Sequence, residues 1–371
     1  MDRLLSADLT RYPEDPRDPL RAWDAADAYL LRHVGTPTGL VVVLGDRWGA
    51  LTTALAACDP VQISDSFLTQ EATRANLKRN GGTATLLTTQ DSPPERIDTL
   101  LVRVPKSLAL LEDQLHRLAP ALHADSVVVG TGMVKEIHTS TLRLFERLVG
   151  PTRTSLAEKK ARLVFATPDP GLVRPANPWP HTYRLPRDAG VVSGREIVNH
   201  AGVFCADRLD IGTRFLLTHL PATHGPVRVA DLGCGNGVVG LAVSLANPEA
   251  ELVYLDESHQ AIASARANAV AGCARFLVCD GIGDLESGSL DLVVNNPPFH
   301  SHQTSTDKTA WRMFTGARRA LRPGGELWVI GNRHLGYHAK LRRLFGGCEV
   351  VASDPKFVLL RAVNRPRPPR R

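Results

Sequence analysis

Short apolar runs recur along the chain, and each one ends in polar or glycine-rich residues. In the carboxyl half, Val227-Arg228-Val229-Ala230 stops at Asp231, and Leu252-Val253-Tyr254-Leu255 stops at Asp256. Ala274 to Val278 leads into Cys279-Asp280-Gly281, and Leu290 to Val294 leads into Asn296. Val238 to Ala246, between the first two runs, has the length and composition of a helix. Apolar strands alternating with helices predict a mostly parallel sheet buried on both faces. Open sheets of this kind bind ligands beyond the carboxyl ends of their strands, and all four polar ends fall on that edge.

The amino half repeats the order. Leu40 to Leu44 is a strand, followed by the turn Gly45-Asp46-Arg47-Trp48-Gly49-Ala50 and a helical Leu51 to Ala57; Val61 to Ser64 then ends at Asp65. Asp65 to Pro105 spans 40 positions and Asp256 to Pro297 spans 41. Farther on, the apolar runs Val127 to Val129 and Leu327 to Ile330 precede helices carrying His138 with Phe145 and His338 with Phe345, seven apart in both. Matching intervals of this length indicate a duplicated Rossmann-like unit. The expected division is a degenerate first domain over residues 1 to 167, a linker over 168 to 190 rich in proline (Pro168, Pro170, Pro175, Pro178, Pro180, Pro186), a second domain over 191 to 364 and a basic tail over 365 to 371.

The chemistry concentrates in the second copy. Its loop Asp231-Leu232-Gly233-Cys234-Gly235-Asn236-Gly237 allows a tight turn and close backbone approach to a ligand, and Asp256, nineteen positions after Gly237, is placed to hold a ribose diol. The fourth strand delivers Asn296-Pro297-Pro298-Phe299. An amino nitrogen conjugated to a base or amide is a poor nucleophile, because its lone pair is delocalised. The Asn296 oxygen and the next carbonyl can accept both of its N–H bonds and aim the lone pair at an incoming methyl group. The prolines stiffen those acceptors, and the Phe299 ring offers a stacking surface. Gly235-Asn236-Gly237-Val238-Val239-Gly240 also satisfies the dinucleotide pattern G-x-G-x-x-G. A nicotinamide enzyme gives no reason for the Asn-Pro-Pro-Phe strand end, whereas a methyl donor with adenosine and methionine parts explains both features. The first copy keeps only Gly45 and Gly49 around Trp48, and its strand end reads Arg103-Val104-Pro105-Lys106. It is expected to bind no donor and to serve in docking or as a scaffold.

Composition narrows the setting. The 371 residues, 43% of them hydrophobic, suffice for two cores. No run of eighteen apolar residues and no leader pattern occurs, so a soluble cytoplasmic protein is expected. The six cysteines form no Cys-x-x-Cys pair and no zinc-type cluster, which predicts reduced thiols and no metal. Of the +6 net charge, five units lie in residues 361 to 371 (Arg361, Arg365, Arg367, Arg370, Arg371), and prolines keep that segment extended enough to follow a phosphate backbone.

The stretches Val203-Phe204-Cys205, Leu209-Asp210-Ile211-Gly212-Thr213-Arg214, the glycine loop, Asn295-Asn296-Pro297-Pro298-Phe299-His300 and Gly331-Asn332-Arg333-His334-Leu335 resemble the bacterial ribosomal RNA guanine-N2 methyltransferases. The resemblance extends to Leu20 through Asp27 and Val104 through Leu111, covers nearly the whole chain, and is strongest to the large-subunit member. It implies tandem α/β domains, the second a class I methyltransferase with a mostly parallel seven-stranded sheet, using S-adenosylmethionine on a guanine turned out of its stack in ribosomal RNA. The donor would lie over Gly233, Gly235 and Gly237, with Asp231 near its methionyl end, Asp256 on the ribose and Asp280 near the adenine amine. Asp210 and Arg214 either border the donor site or, for Asp210, cap the helix that begins near Gly212. His300 and His302 are assigned no catalytic role. Small-subunit RNA and a protein glutamine amide remain alternative substrates, since the glutamine amide presents similar planar N–H groups. The sequence leaves the oligomeric state open, with a monomer as the working expectation.

Overall fold

The computed structural model describes residues 3–16, 18–270, 272, 274–298 and 303–366. The chain divides into two compact units, Met1–Trp179 and Pro180–Arg371, at a point inside the proline-rich segment. In the first unit the strands are β1 (Val41–Leu44), β2 (Val61–Ser64), β3 (Thr85–Thr88), β4 (Ile97–Arg103), β5 (Leu122–Met133), β6 (Thr152–Thr154) and β7 (Ala161–Ala166). A two-stranded hairpin, β8 (His181–Arg184) and β9 (Glu196–Asn199), opens the second unit. There follow β10 (Arg228–Leu232), β11 (Glu251–Asp256), β12 (Ala274–Val278), β13 (Leu290–Asn295), β14 (Leu321–Asn332), β15 (Glu349–Ser353) and β16 (Phe357–Val363).

Both units build the same seven-stranded sheet, ordered β3-β2-β1-β4-β5-β7-β6 in the first and β12-β11-β10-β13-β14-β16-β15 in the second. Neighbours pair in parallel through β5 and β14, and β7 and β16 run antiparallel to them. The sheet expected of the second unit, with its antiparallel return over Phe357–Val363, is present there, and the first unit repeats it with Ala161–Ala166 as the antiparallel return. Apolar residues fill both faces of the second sheet, as successive side chains alternate. Val229 packs with Val238, Leu241 and Ile262 on one side, while Ala230 and Leu232 pack with Met313, Phe314 and Phe345 on the other.

Three pairs of equivalent residues set the register between the copies. Gly49 and Gly237 are the left-handed caps before the helices Ala50–Ala54 and Val238–Ala246. Ser66 and Ser258 cap the helices Phe67–Asn80 and His259–Asn268 through their side chains. Leu44 pairs with Ile63 and Val102, as Leu232 pairs with Leu255 and Asn295. Counting from these points, Ser64 stands where the second unit has Asp256, Arg47 where it has Gly235, and Arg103 where it has Asn296. This shifts the paired intervals by one residue, because Asp65 matches Glu257 and Pro105 matches Pro298, and it keeps Arg103 to Lys106 opposite Asn296 to Phe299. It also moves the blame for the lost glycine: Trp48 corresponds to Asn236, and Arg47 is the residue that replaces a glycine.

Candidate active site

The loop between β10 and the helix Val238–Ala246 turns through three left-handed glycines, Gly233, Gly235 and Gly237, with φ of 70°, 53° and 77°. Their roles differ. A Cβ on Gly235 would meet nothing within 4 Å, so this stretch of backbone faces open space. On Gly237 it would fall 2.8 Å from the Ala265 Cβ, and on Gly240 2.3 Å from the Tyr254 ring. The last glycine of the dinucleotide-like pattern is thus required by packing against an aromatic core residue, and Gly237 by packing against the next helix. Asn236 ties the loop down: its Nδ2 donates to Asn199 Oδ1 at 2.9 Å, and its carbonyl accepts from Asn268 Nδ2 at 2.9 Å.

Around this loop the strand ends carry the predicted acids. Asp256 Oδ2 accepts from the Gly235 N–H at 2.9 Å and Oδ1 from the Ser258 N–H at 3.0 Å, which fixes the carboxylate at the tip of β11. Asp280, after β12, pairs with Arg312 at 3.0 Å. Asp231 points inward: it is buried, and its Oδ2 accepts from the Gly240 N–H at 2.8 Å, so it braces the start of the helix behind the loop. Burial pushes its carboxyl up to about 7, against the pull of the Gly240 N–H and with a further push from Asp256. Neighbouring parallel strands lie about 4.8 Å apart, so the ends carrying Asp280, Asp256, Gly233 and Asn296 span roughly 14 Å of one sheet edge.

Asn296 leaves the end of β13, and the next residue, Pro297, is buried while Pro298 is exposed. The preceding Asn295 is fully buried and donates through Nδ2 to the Leu232 carbonyl, locking the ends of β10 and β13 together. Asn296 Nδ2 donates to Thr213 Oγ1 at 2.9 Å, while its Oδ1 is buried and has no hydrogen-bond partner among the described residues. A buried acceptor left unpaired costs about 1–3 kcal/mol, so this oxygen is set up for a donor that the described residues do not supply. Asp210 is the side-chain cap of the helix Ile211–Leu217, accepting from the Thr213 N–H at 2.8 Å, and Arg214 pairs with Asp188. Sequence reasoning quoted Thr213 in the stretch that carries the family resemblance but gave it no role, and the structure places it against Asn296. Phe299, His300, His302 and residues 367–371 of the basic tail lie outside the described residues. Among the described residues there is no cluster able to hold a metal, and no helix is long and apolar enough to cross a membrane.

The corresponding place in the first unit is filled by charge. Arg103 is 0% exposed and meets Asp24 at 2.7 Å, Asp27 at 3.2 Å and Glu136 at 3.0 Å. Arg47, at the position of Gly235, joins the same cluster through Glu136 at 2.7 Å and Asp24 at 3.4 Å. Burial alone would raise Glu136, but hydrogen bonds from Arg47 and the Met133 N–H, together with the Arg103 charge, hold it down at about 2. Side chains of the unit itself therefore occupy both the loop position and the strand-end position that are open in the second unit.

The residues present fit a methyl donor of the S-adenosylmethionine kind: an open backbone cradle at Gly235, a fixed carboxylate at Asp256 and an unpaired acceptor at Asn296 lie along one sheet edge. Comparison with known proteins agrees. Residues 3–170 match the family model described as RLMG N-terminal domain, and residues 194–361 match the methyltransferase small domain. Proteins called ribosomal RNA large subunit methyltransferase G are 72% identical in Streptomyces avermitilis and in Streptomyces coelicolor, each match covering 96% of this chain and 97% of the relative. The protein of that name from Ectopseudomonas mendocina is 48% identical over the same shares. Among solved structures, a T. thermophilus 16S rRNA N2 methyltransferase in complex with AdoMet and guanosine shares the fold, with a TM-score of 0.73 at 22% identity, covering 96% of this chain and 95% of that one. On the strength of the near full-length matches, this chain belongs to the ribosomal RNA large subunit methyltransferase G family.

Proposed function

We propose that the chain methylates the exocyclic N2 amine of a guanine in large-subunit ribosomal RNA, using S-adenosylmethionine. The observation that carries this reading is the buried, unpartnered Asn296 Oδ1 on a proline-stiffened strand end beside the open Gly235 backbone. The donor supplies an electrophilic methyl group on a sulfonium. Gly233 and Gly235 admit its backbone contacts, and Asp256 accepts from its ribose hydroxyls. Asp280 lies toward the adenine end, where its pairing with Arg312 leaves the other carboxylate oxygen for the amine. Asp231 acts from behind, bracing the helix that follows the loop, and Gly237 acts through packing.

Asn296 Oδ1 and the Pro297 carbonyl accept the two N–H bonds of the guanine amine, drawing the nitrogen out of conjugation so that its lone pair meets the methyl carbon. Pro298 holds the turn, and Phe299 provides the stacking face for the flipped base. The proton leaves the nitrogen after transfer, so no side-chain base of altered acidity is needed at the strand end. The amino unit serves as a scaffold or docking body without donor binding, and the arginines from 365 onward follow the RNA backbone, whereas Arg361, counted with them in the sequence, lies in β16 paired with Glu326 and Glu349. We take the working enzyme to be a cytoplasmic monomer.

Labelled donor should be incubated with the full chain and, separately, large-subunit RNA, small-subunit RNA, assembled subunits and free ribosomal proteins. Nuclease digestion should then give N2-methylguanosine from the large-subunit RNA. Label appearing only in small-subunit RNA or only in a glutamine side chain would replace this reading with one of its rivals. Sedimentation of the active fraction tests the monomer.

A further inference from the structure

Asn296 has one weakness as an acceptor: its carboxamide can turn over. The oxygen and the NH2 group are nearly equal in size, and a flipped amide would present N–H donors to an amine that itself has only N–H bonds to offer. Something must choose the orientation. We propose that Thr213, fixed by Asp210, is a positioning residue that keeps the Asn296 oxygen turned toward the substrate; this rests on the reading of Asn296 as the amine acceptor.

A carboxylate only accepts hydrogen bonds, so the single proton of the Thr213 hydroxyl goes to Asp210 Oδ2, 3.2 Å away. With its proton committed, Thr213 Oγ1 can only accept, and it takes the Asn296 Nδ2 at 2.9 Å. The amide nitrogen is thereby anchored and Oδ1 is left without a partner on the far side. Capping the helix does not need this hydroxyl, because the cap bond to Asp210 comes from the Thr213 backbone N–H at 2.8 Å.

The first unit supplies an independent observation. There the cap of the corresponding helix, Ala25–Val34, is Asp24, and the residue three positions on is Asp27, as Thr213 is three positions after Asp210. Both acids reach Arg103, the counterpart of Asn296. In both copies the first turn of this helix holds the residue at the end of the fourth strand, with acids for an arginine and with a hydroxyl relay for an amide. The wiring is a property of the fold, and its chemistry follows the residue being held.

The test uses the full chain, S-adenosylmethionine and large-subunit ribosomal RNA in single turnover with both reactants saturating. Thr213→Val keeps the shape and the backbone cap but removes the relay. The rate should fall about tenfold to a hundredfold, less than for loss of the acceptor itself, with donor Kd unchanged. Thr213→Ser should restore the rate. Adding Thr213→Val to Asn296→Ala should cause no further loss, since the relay acts only through that amide. Asp210→Asn, which frees the Thr213 proton to turn the other way, should give a smaller loss. A wild-type rate for Thr213→Val, or losses that multiply in the double variant, would overturn the relay while leaving the functional reading standing. A wild-type chain that transfers no methyl to guanine would overturn both.

Discussion

At the carboxyl edges of its two sheets the chain carries the same backbone with opposite contents. In the second unit, Gly235 faces open space and Asn296 presents an unpaired oxygen. At the same register in the first unit, Arg47 and Arg103 extend into the corresponding positions and meet Asp24, Asp27 and Glu136. A site that binds a ligand must leave polar groups unsatisfied until the ligand arrives, which works against stability. The first unit satisfies those groups internally. Two substitutions, glycine to arginine and asparagine to arginine, together with acids in the adjacent helix, separate a receptive edge from a closed one.

The largest expected effect falls on the closed edge. Arg103→Met would leave three carboxylates around an apolar side chain, and breaking one side of a buried ion cluster costs about 3–5 kcal/mol. Thermal or denaturant unfolding should show the first unit melting well before the second. Equal stability would mean that the cluster is incidental to the fold. On the open edge, Asn296→Ala should lower the single-turnover rate by about 10²–10³ while donor calorimetry stays unchanged. Near-normal turnover would remove the asparagine from the chemistry and weaken the contrast with Arg103.

A smaller effect is expected at the second strand end, where the first unit has Ser64 for Asp256. Asp256→Ala should weaken donor binding by about tenfold to a hundredfold, as hydrogen bonds to a charged acceptor contribute about 1.5–3 kcal/mol. An unchanged dissociation constant would contradict the ribose assignment. Smallest in its effect on methyl transfer itself is a change in the slope of stability with pH. Asp231 sits at about 7 in the folded protein against 3.8 ordinarily, so its contribution to stability is full below about 4 and declines as pH rises through 7. Asp231→Asn should flatten that decline in the second unit, read from denaturant midpoints between pH 4 and pH 8. An unaltered slope would assign the titration elsewhere.

Much of this was legible in the sequence because fold and local pattern coincide. The helix Val238–Ala246 and the strands Val61–Ser64, Ala274–Val278 and Phe357–Val363 have the bounds read from the sequence, since apolar runs of strand and helix length are bounded there by polar or glycine-rich residues. The register between copies was less legible. Ser64-Asp65-Ser66 and Asp256-Glu257-Ser258 both offer an acid at a strand tip, and only strand pairing and the capping serines decide which positions correspond. The role of Thr213 was invisible for a further reason. Thr213 lies 83 residues from Asn296, and a threonine in the first turn of a helix has no local feature to distinguish a relay from an ordinary surface hydroxyl. Sequence periodicity reports which face is buried, not which side chain across the domain a hydroxyl will meet.

Gly49 and Gly237 show how a doubled chain ages. Each adopts a left-handed turn, and a side chain on either would collide with the neighbouring helix, at Thr73 in one copy and Ala265 in the other. The first copy has arginine where the second has the glycine that faces empty space, but it could not replace this one without displacing a helix. Vestigial halves of duplicated proteins should therefore keep their architectural glycines long after their receptive ones have gone, and counting glycines in a loop will overstate how many working sites remain.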